Sequence, residues 1–281
     1  MMYWLTSRRK IFFNKTLVMA ILNVTPDSFS DGGEFFSTEK ALRHAEKLIA
    51  EGADILDVGG ESTRPHSERV SAEEEIKRVC PIIEAIAKRF NVPVSVDTSK
   101  AEVAERAVGA GAEVINDVSG LRFDEKIAEV ASKYKTGLIL MHLRGTFETM
   151  HRQAAVSDIL REVSEGFRQS VEKAKSFGIN ENQIVLDVGL GFGKTFEQNL
   201  ELIGKLKRVI EEFPDFPLLV GASRKSFIGK ILDDAPVENR LAGTLAANSI
   251  AAWNGANIVR VHDVRETIET LKVVDFIKKQ L

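Results

Sequence analysis

Side chains that can bind or transform a ligand recur at one kind of position in this 281-residue sequence, directly after short apolar runs. In residues 18–33, V-M-A-I-L-N-V-T-P-D-S-F-S-D-G-G, an apolar run ends at Asn23 and passes into an oxygen-rich loop that closes on Gly32 and Gly33. The polar residues near the ends of these runs are Asn23, Glu61, Asp97, Asn116, Asp117, His142, Asp187, Lys225, Arg260 and His262. If the runs are parallel strands of a barrel, these residues converge at its carboxyl end, where such folds carry their active sites.

Two of these residues, Asp97 and Asp187, are acids at the ends of apolar runs. A buried carboxylate is costly unless it accepts hydrogen bonds or pairs with a cation. A ring that carries N–H and NH2 donors would satisfy both acids, and so would a cation that develops during a reaction. The two aspartates therefore predict a site for a nitrogen-rich ring.

Cationic and hydroxyl groups gather around the last two apolar runs. Residues 221–226, G-A-S-R-K-S, predict a tight turn before a short helical segment, and backbone amides at a helix start attract anions. Arg260 and His262 stand two residues apart, so they project to the same side of a strand. We expect a phosphate site here, with ordinary ion pairing at the strand ends as the alternative interpretation.

The stretch 189–195, G-L-G-F-G-K-T, invites a nucleotide-binding interpretation that its spacing does not support. A P-loop needs glycine at position 188, where Val188 stands, and the dinucleotide pattern needs glycine at 194, where Lys194 stands. We interpret the stretch as a flexible loop that brings backbone close to a flat ligand, with Phe192 available to stack on it.

The elements that must position these residues follow from the alternation of apolar runs with helical patterns. The runs cover 18–22, 53–61, 92–97, 113–120, 136–142, 183–189, 216–223 and 256–263. Strands that alternate with helices predict parallel β-α units, and eight units predict an α/β fold of the (β/α)8 TIM-barrel type. An open doubly wound sheet is the alternative, but it would usually carry a glycine-rich phosphate turn after its first strand.

The remaining elements are predicted from caps and periodicity. Helices are expected near 38–51, 124–133, 156–177 and 237–253. Four helix starts carry a capping residue followed three positions later by Glu or Gln, at Ser71, Ser99, Thr195 and Asp263. Residues 1–17 predict a short N-terminal extension, either a hairpin or a lid, and we expect residues 1–281 to form a single domain.

Composition narrows the function classes. The net charge of −3, with acids and bases interspersed, gives no electrostatic footprint for nucleic acid. The apolar runs are far too short to span a membrane, and the start of the chain does not resemble an export signal, so we expect a cytoplasmic protein. The single cysteine, Cys80, excludes an intrachain disulfide and lies in a helical apolar stripe, which predicts a buried structural thiol.

The ordered motifs of the chain resemble those of dihydropteroate synthase, a folate-pathway enzyme family built on a (β/α)8 barrel. The resemblance covers nearly the whole chain from Val18 onward. It rests on the blocks N-V-T-P-D-S-F-S-D-G-G (23–33), G-G-E-S-T-R-P (59–65), S-V-D-T (95–98), I-N-D-V-S-G (115–120), M-H (141–142), D-V-G-L-G-F-G-K-T (187–195), S-R-K-S-F (223–227) and R-V-H-D (260–263). It implies a transferase that condenses 6-hydroxymethyl-7,8-dihydropterin pyrophosphate with p-aminobenzoate, giving dihydropteroate and pyrophosphate.

The resemblance also implies a residue set for each part of that reaction. The pterin would be held or lined by Asp97, Asn116, Met141, Asp187, Phe192, Gly221 and Lys225. The pyrophosphate would bind Asn23, Arg260 and His262, with Mg²⁺ bridging it and Asn23. The p-aminobenzoate would bind Phe29, Thr63, Arg64, Pro65 and Ser226. The residues expected to act directly in catalysis are Asp97, Asp187, Lys225, Arg260 and His262.

Two other functions are weighed against this one. A pterin-binding methyltransferase that serves a corrinoid protein would share the pterin slot but not the first two loops or the S-R-K motif. An inactive paralogue would be expected to lose some of the matched residues, and none is lost. Homodimerisation is implied by the family alone. One departure from the family, Val188 in place of the usual proline, predicts a looser turn after Asp187.

Overall fold

The protein's architecture is a closed barrel of parallel strands with helices outside it. The computed structural model describes residues 2–24, 34–62, 67, 69–150 and 152–280, without the side chains of 34–37. Among these residues eight parallel strands close in the order β10-β3-β4-β5-β6-β7-β8-β9. They are β3 (Leu17–Asn23), β4 (Ile55–Gly59), β5 (Val94–Asp97), β6 (Val114–Asp117), β7 (Gly137–Met141), β8 (Ile184–Asp187), β9 (Leu218–Val220) and β10 (Ile258–Val261). The predicted TIM barrel is confirmed, and the open sheet is excluded.

Helices follow the strands and cover the outside of the barrel. They are α1 (Glu34–Ala50), α2 (Ala72–Arg89), α3 (Ala101–Ala110), α4 (Lys126–Tyr134), α5 (Ile159–Ser176), α6 (Phe196–Gly204), α7 (Leu206–Glu212), α8 (Ser226–Ile231), α9 (Leu241–Trp253) and α10 (Val264–Lys278). In the described part of the chain, none of them combines the length and apolar character that crossing a bilayer requires.

Alternation along the strands separates two apolar regions. Val18, Ala20 and Leu22 of β3 belong to the large core between strands and helices, whereas Leu17 and Met19 belong to a smaller cluster. That smaller cluster takes residues from seven of the eight strands, which places it inside the barrel. The apolar interior ends partway up the strands, and polar side chains take over toward their carboxyl ends.

The N-terminal extension forms a hairpin that closes the amino end of the barrel. Strands β1 (Tyr3–Leu5) and β2 (Lys10–Phe12) pair antiparallel. Trp4 is fully buried in the interior cluster, and its Nε1 donates to the carbonyl of Gln183 at 2.8 Å. A Cβ at Gly137 would lie 2.9 Å from the indole ring, so only glycine leaves room for it. The hairpin interpretation is confirmed, and the alternative of a lid is wrong because the hairpin lies opposite the predicted site.

Two of the predicted helix caps are correct and two are not. Thr195 and Gln198 form the reciprocal capping box at α6, and Ser71 accepts from the Glu74 amide at α2. Ser99 does not cap α3, whose first amide, that of Ala101, donates instead to Asp124 Oδ2 at 2.8 Å. Asp263 stands at the cap position of α10 without a capping bond, because Arg224 takes its carboxylate.

The expected helix over 237–253 divides into a 3-10 turn at 237–239 followed by α9. Cys80 lies on α2, only half-buried, and burial raises the pKa of its thiol. The thiol therefore stays protonated under ordinary conditions, in keeping with a structural residue.

We expect Trp4→Ala to lower the free energy of unfolding by about 3 to 5 kcal/mol, because it empties the apolar floor of the barrel and orphans a buried carbonyl. Urea denaturation followed by circular dichroism would measure the change. Phe12→Ala on the same hairpin is the matched control, since Phe12 is 47% exposed and its loss should change stability little. Equal losses for the two variants would contradict the assigned role of Trp4.

Candidate active site

The carboxyl end of the barrel brings together polar side chains from five strands. The inward positions there belong to Asp57 on β4, Asp97 on β5, Asn116 on β6, Asp187 on β8 and Arg260 on β10. These positions follow the alternation that puts Ile55, Val114, Val185 and Ile258 in the apolar floor two residues earlier. The predicted convergence of strand-end residues is therefore seen for Asp97, Asn116, Asp187 and Arg260.

Arg260 ties two of the acids together. Its Nε donates to Asp57 Oδ2 at 2.6 Å, and its Nη2 donates to Asp97 Oδ2 at 2.6 Å. Asn116 Nδ2 donates to the same oxygen of Asp57 at 3.0 Å. Arg260 thus lies in buried ion pairs at the centre of the mouth. The alternative interpretation, ion pairing at the strand ends, therefore describes part of what Arg260 does.

Asp57 is a component of this network that the sequence analysis missed. It is fully buried, and its second oxygen, Oδ1, has no hydrogen-bond partner in the described structure. A signal for it exists in the sequence, because Asp57 follows Ile55 by two positions inside an apolar strand and therefore faces the barrel interior. An acid at such a position needs an internal cation, which Arg260 supplies.

Burial dominates the electrostatics of the mouth. It raises the pKa of Asp97 to about 7, against the effect of Arg260, and the charge of Asp57 raises this pKa further. It also raises the pKa of Asp187, against a bond from the Gly189 amide and the charge of Lys225. It lowers the pKa of Lys225 to about 8, although Asp187 opposes that change. The mouth therefore holds one acid, Asp97, and one amine, Lys225, whose pKa values lie close to neutrality.

A flat apolar wall stands beside these charges. Met141 and Phe192 belong to a cluster with Leu143, Phe147 and Met150, and Lys225 Nζ lies 4.4 Å from the centroid of the Phe192 ring. Lys225 also donates to the carbonyl of Leu190. An aromatic face, an ammonium group and carboxylates at one mouth suit a planar, nitrogen-rich ring.

The loop that carries Phe192 is tethered, which corrects the prediction of a flexible loop. The Gly189 amide donates to Asp187 Oδ1 at 2.8 Å, and the Gly191 amide donates to Asn199 Oδ1 at 2.7 Å. The first of these bonds closes the turn after Asp187, so Val188 does not leave that turn loose. Gly189, Gly191 and Gly193 all have left-handed φ angles of 63–81°, which only glycine adopts at low cost.

A second polar corner lies at the ends of β9 and β10. Ser223 Oγ lies 3.0 Å from His262 Nδ1 and accepts from the His262 amide at 3.2 Å. Arg224 makes a two-pronged ion pair with Asp263, with its Nε 3.0 Å from Oδ2. Gly221 lies beside Arg260, since a Cβ at Gly221 would be 3.9 Å from the Arg260 Cβ. Gly221 therefore lies next to Arg260 and Ser223 next to His262, and a shared phosphate region for the two cations stays a prediction.

Asn23 stands at the end of β3, on the rim of the mouth. A Cβ at Gly59 would lie 3.5 Å from Asn23 Oδ1 and 3.5 Å from Asp97 Cβ, which places the amide next to this acid. The described residues contain no cluster of three or more His, Cys, Asp or Glu side chains that could hold a metal ion. Mg²⁺ commonly binds through one or two protein oxygens together with substrate phosphates and water, which is compatible with a single amide ligand such as Asn23.

Three residues from the strand-end set lie apart from the network. Glu61 pairs with Lys100 at 3.0 Å, and Asp117 accepts from the Leu121 amide at 2.6 Å, so each holds a loop. The ring of His142 lies beneath α5, where a Cβ at Gly166 would be 2.4 Å from its Cδ2. Of the residues predicted for a second substrate, Ser226 opens α8, whereas Phe29, Thr63, Arg64 and Pro65 lie outside the described residues.

Comparisons with known proteins agree with this geometry. A family model described as "Pterin binding enzyme" matches residues 19–262. The dihydropteroate synthase of Synechocystis is 47% identical over 93% of this chain and 90% of its own length. A Yersinia pestis dihydropteroate synthase with a sulfonamide drug superposes with a TM-score of 0.92, at 40% identity and full coverage of both chains. A Clostridium difficile homologue solved with pteroic acid gives a TM-score of 0.89 at 42% identity, over 95% of this chain and 98% of that one.

We expect Asp57→Asn to lower the pKa of Asp97, because the substitution removes a like charge that shares Arg260 with it. Arg260→Met should have the opposite effect, since it removes the opposing cation. Carboxyl ¹³C NMR of aspartate-labelled protein would follow the titration. Asp54→Asn is the control, because Asp54 lies before β4 at the other end of the barrel and pairs with Lys15. An Asp97 pKa that is unchanged in the Asp57→Asn variant would contradict the shared network.

Proposed function

Because this chain belongs to the pterin-binding enzymes and, within them, to the dihydropteroate synthases, we propose that the mouth of its barrel joins a dihydropterin pyrophosphate to p-aminobenzoate. The products are 7,8-dihydropteroate and pyrophosphate. The observation that carries the assignment of roles is the arrangement of Asp97, Asp187, Lys225 and Arg260 at one mouth, beside the aromatic wall of Phe192.

The pterin ring is assigned to the polar floor and the apolar wall together. Asp187 and Asp97 accept from ring N–H and NH2 groups, and Asn116 and Lys225 serve the remaining polar atoms of the ring. Met141, Phe192 and Gly221 line the slot. Support comes from the burial of both acids, which have too few internal donors to offset the loss of water and so favour a donor-rich ligand.

The pyrophosphate is assigned to Arg260, His262 and Asn23. Arg260 uses Nε and Nη2 for Asp57 and Asp97, and its Nη1 group takes no part in those two bonds. Nη1 is therefore the donor that we assign to the leaving group. Asn23 would hold Mg²⁺ against the pyrophosphate oxygens, and the bound ion would neutralise negative charge on the leaving group.

The reaction breaks the bond between the pterin methylene carbon and the pyrophosphate oxygen, whose electron pair leaves with the pyrophosphate. The carboxylates of Asp97 and Asp187 stabilise the positive charge that develops on the pterin methylene. The neutral amine of p-aminobenzoate then forms the new C–N bond and loses one proton. Ser226 is assigned to this second substrate, together with Phe29, Thr63, Arg64 and Pro65, which lie outside the described residues.

A cytoplasmic location stays a prediction.

The assay that tests this function measures pyrophosphate release from the pterin substrate with Mg²⁺, with and without p-aminobenzoate. We expect release that depends on p-aminobenzoate. Asp187→Asn should weaken binding of both the bare pterin and its pyrophosphate, because it removes the acceptor charge. His262→Ala should weaken binding of the pyrophosphate form alone.

Binding of the two ligands by isothermal titration calorimetry separates these roles. Asp215→Asn is a control on an exposed acid remote from the mouth, and it should change neither affinity. Tight pterin binding without any release would argue for the methyltransferase or the inactive paralogue. Equal losses for both ligands in His262→Ala would remove this residue from the pyrophosphate site.

We also propose a homodimer that buries the outer faces of α9 and α10. These helices pack together and leave large apolar side chains in solvent, with exposures of 48% for Trp253, 61% for Val273 and 68% for Phe276. The periodicity of the last helix would equally suit a face turned to the barrel, but the side chains turned that way are Val264, Thr267 and Leu271, with Ile268 and Val274 partly buried beside them. Exposed apolar patches of this kind mark association surfaces.

Phe276→Glu should convert the dimer to a monomer, because it puts a charge into the apolar contact. Size-exclusion chromatography with light scattering would report the mass. Phe12→Glu, which charges an exposed aromatic residue at the hairpin, is the control. A wild-type monomer, or a dimer that survives Phe276→Glu, would contradict this surface.

A further inference from the structure

Lys194 joins the loop after β8 to the loop after β7 through its ammonium group. Its Nζ donates to the carbonyl of His142 at 2.7 Å and to the carbonyl of Phe192 at 3.0 Å. None of the roles assigned above uses Lys194, although it follows Phe192 by only two residues. One ammonium group therefore fixes backbone on both sides of the junction between the two loops.

The two loops pack closely at this junction. A Cβ at Gly189 would lie 2.0 Å from the His142 carbonyl oxygen, and a Cβ at Gly193 would lie 2.5 Å from Arg144 Cβ. Arg144 adds a parallel tether, since its Nη1 donates to the Gly193 carbonyl at 2.9 Å. The Lys194 ammonium lies at the same junction, since a Cβ at Gly189 would be 3.1 Å from its Nζ.

Phe192 is consequently held by two lysines from different directions. Lys225 lies over its ring at 4.4 Å and donates to the carbonyl of Leu190. Lys194 holds the Phe192 carbonyl from the side of β7. Removal of Lys194 would break the link between the Phe192 carbonyl and the His142 carbonyl in the loop after β7. The contact between Phe192 and Lys225 would remain.

Lys194 also contributes charge to the site. The cationic groups that face Asp187 are Lys225 from α8, Arg260 from β10 and Lys194 from its own loop, and all three lower the pKa of Asp187 against the effect of burial. Burial lowers the pKa of Lys194 well below its ordinary value, and the charge of Asp187 opposes this. Lys225 and Arg144 lower the pKa of Lys194 further, whereas Glu162 raises it.

We propose that Lys194 is a positioning residue, which holds the Phe192 wall and the Asp187 carboxylate in the arrangement that receives the pterin without touching the ligand. The proposal rests on the proposed function, because it concerns the same slot. It assigns Lys194 two effects, a geometric one through the two carbonyls and an electrostatic one on Asp187.

Lys194→Met and Lys194→Gln separate these effects, because both remove the charge and only glutamine keeps an N–H donor. We expect Lys194→Met to lower kcat/KM on the order of 10²-fold, as misplacement of a reacting group does, and Lys194→Gln to lower it less because an N–H donor remains. In addition, when the pH is lowered, both variants should lose their affinity for bare pterin at a higher pH than the wild-type protein does. The sign follows because Asp187 must be ionised to accept from the ring, and loss of a nearby cation raises its pKa.

Calorimetric pterin affinity, measured as a function of pH on folded variants, is the readout. Lys194→Arg should restore the wild-type pH dependence by returning the charge. Lys173→Met is the matched control, since Lys173 likewise donates to a loop carbonyl, that of Leu121 at 3.3 Å, but lies away from the mouth.

A uniform loss of affinity at every pH, without rescue by arginine, would overturn the proposal in favour of simple packing. Unchanged affinity and pH dependence in either folded neutral variant would overturn it as well. Failure of the proposed function is a separate result, because the wild-type protein would then show no pyrophosphate release that depends on p-aminobenzoate.

Discussion

Charge burial at one end of a closed barrel is the constraint on which the rest of this structure depends. Asp57 and Asp97 share the single guanidinium of Arg260, with both contacts at 2.6 Å. Burial of an ion pair costs desolvation energy that offsets much of the attraction between its two charges. A third buried charge adds its own desolvation cost. Two acids on one cation leave a negative excess, which the fold can hold only because the strands fix all three groups. The same excess suits a ligand that brings donors or develops positive charge.

The fold was predictable because its signals are local and repeated. Each strand appears as an apolar run that stops at a polar residue, and eight runs separated by helical patterns define a barrel. The positions of Asp97, Asn116, Asp187 and Arg260 followed from being near the end of such a run. Asp57 was not predicted in this way because it stands in the middle of its strand. Its inward direction follows from the alternation of side chains along the strand and not from its distance to the strand end. The pairing of Arg260 with Asp57 spans 203 residues and has no local signature.

Loops and caps were less predictable, for a related reason. Ser99 and Asp263 satisfy the local capping pattern, but Asp124 and Arg224 compete for the groups involved through contacts made by the folded chain. The glycine-rich segment 189–195 indicated flexibility by composition. In the structure the left-handed glycines instead let the backbone lie flush against the neighbouring loop, where side chains from three elements bind it. Amino-acid composition indicates which conformations the backbone of a segment can adopt. Tertiary hydrogen bonds determine which of these conformations the folded protein has.

The hairpin at the amino end has a consequence for the way this chain is made. Trp4 is translated 179 residues before its hydrogen-bond partner, the carbonyl of Gln183. Glu113, which binds Arg9 of the same hairpin at 2.6 Å, also comes much later. A growing chain therefore carries an unpartnered indole until Gln183 has been translated, and formation of the barrel floor must wait for contacts of high sequence separation.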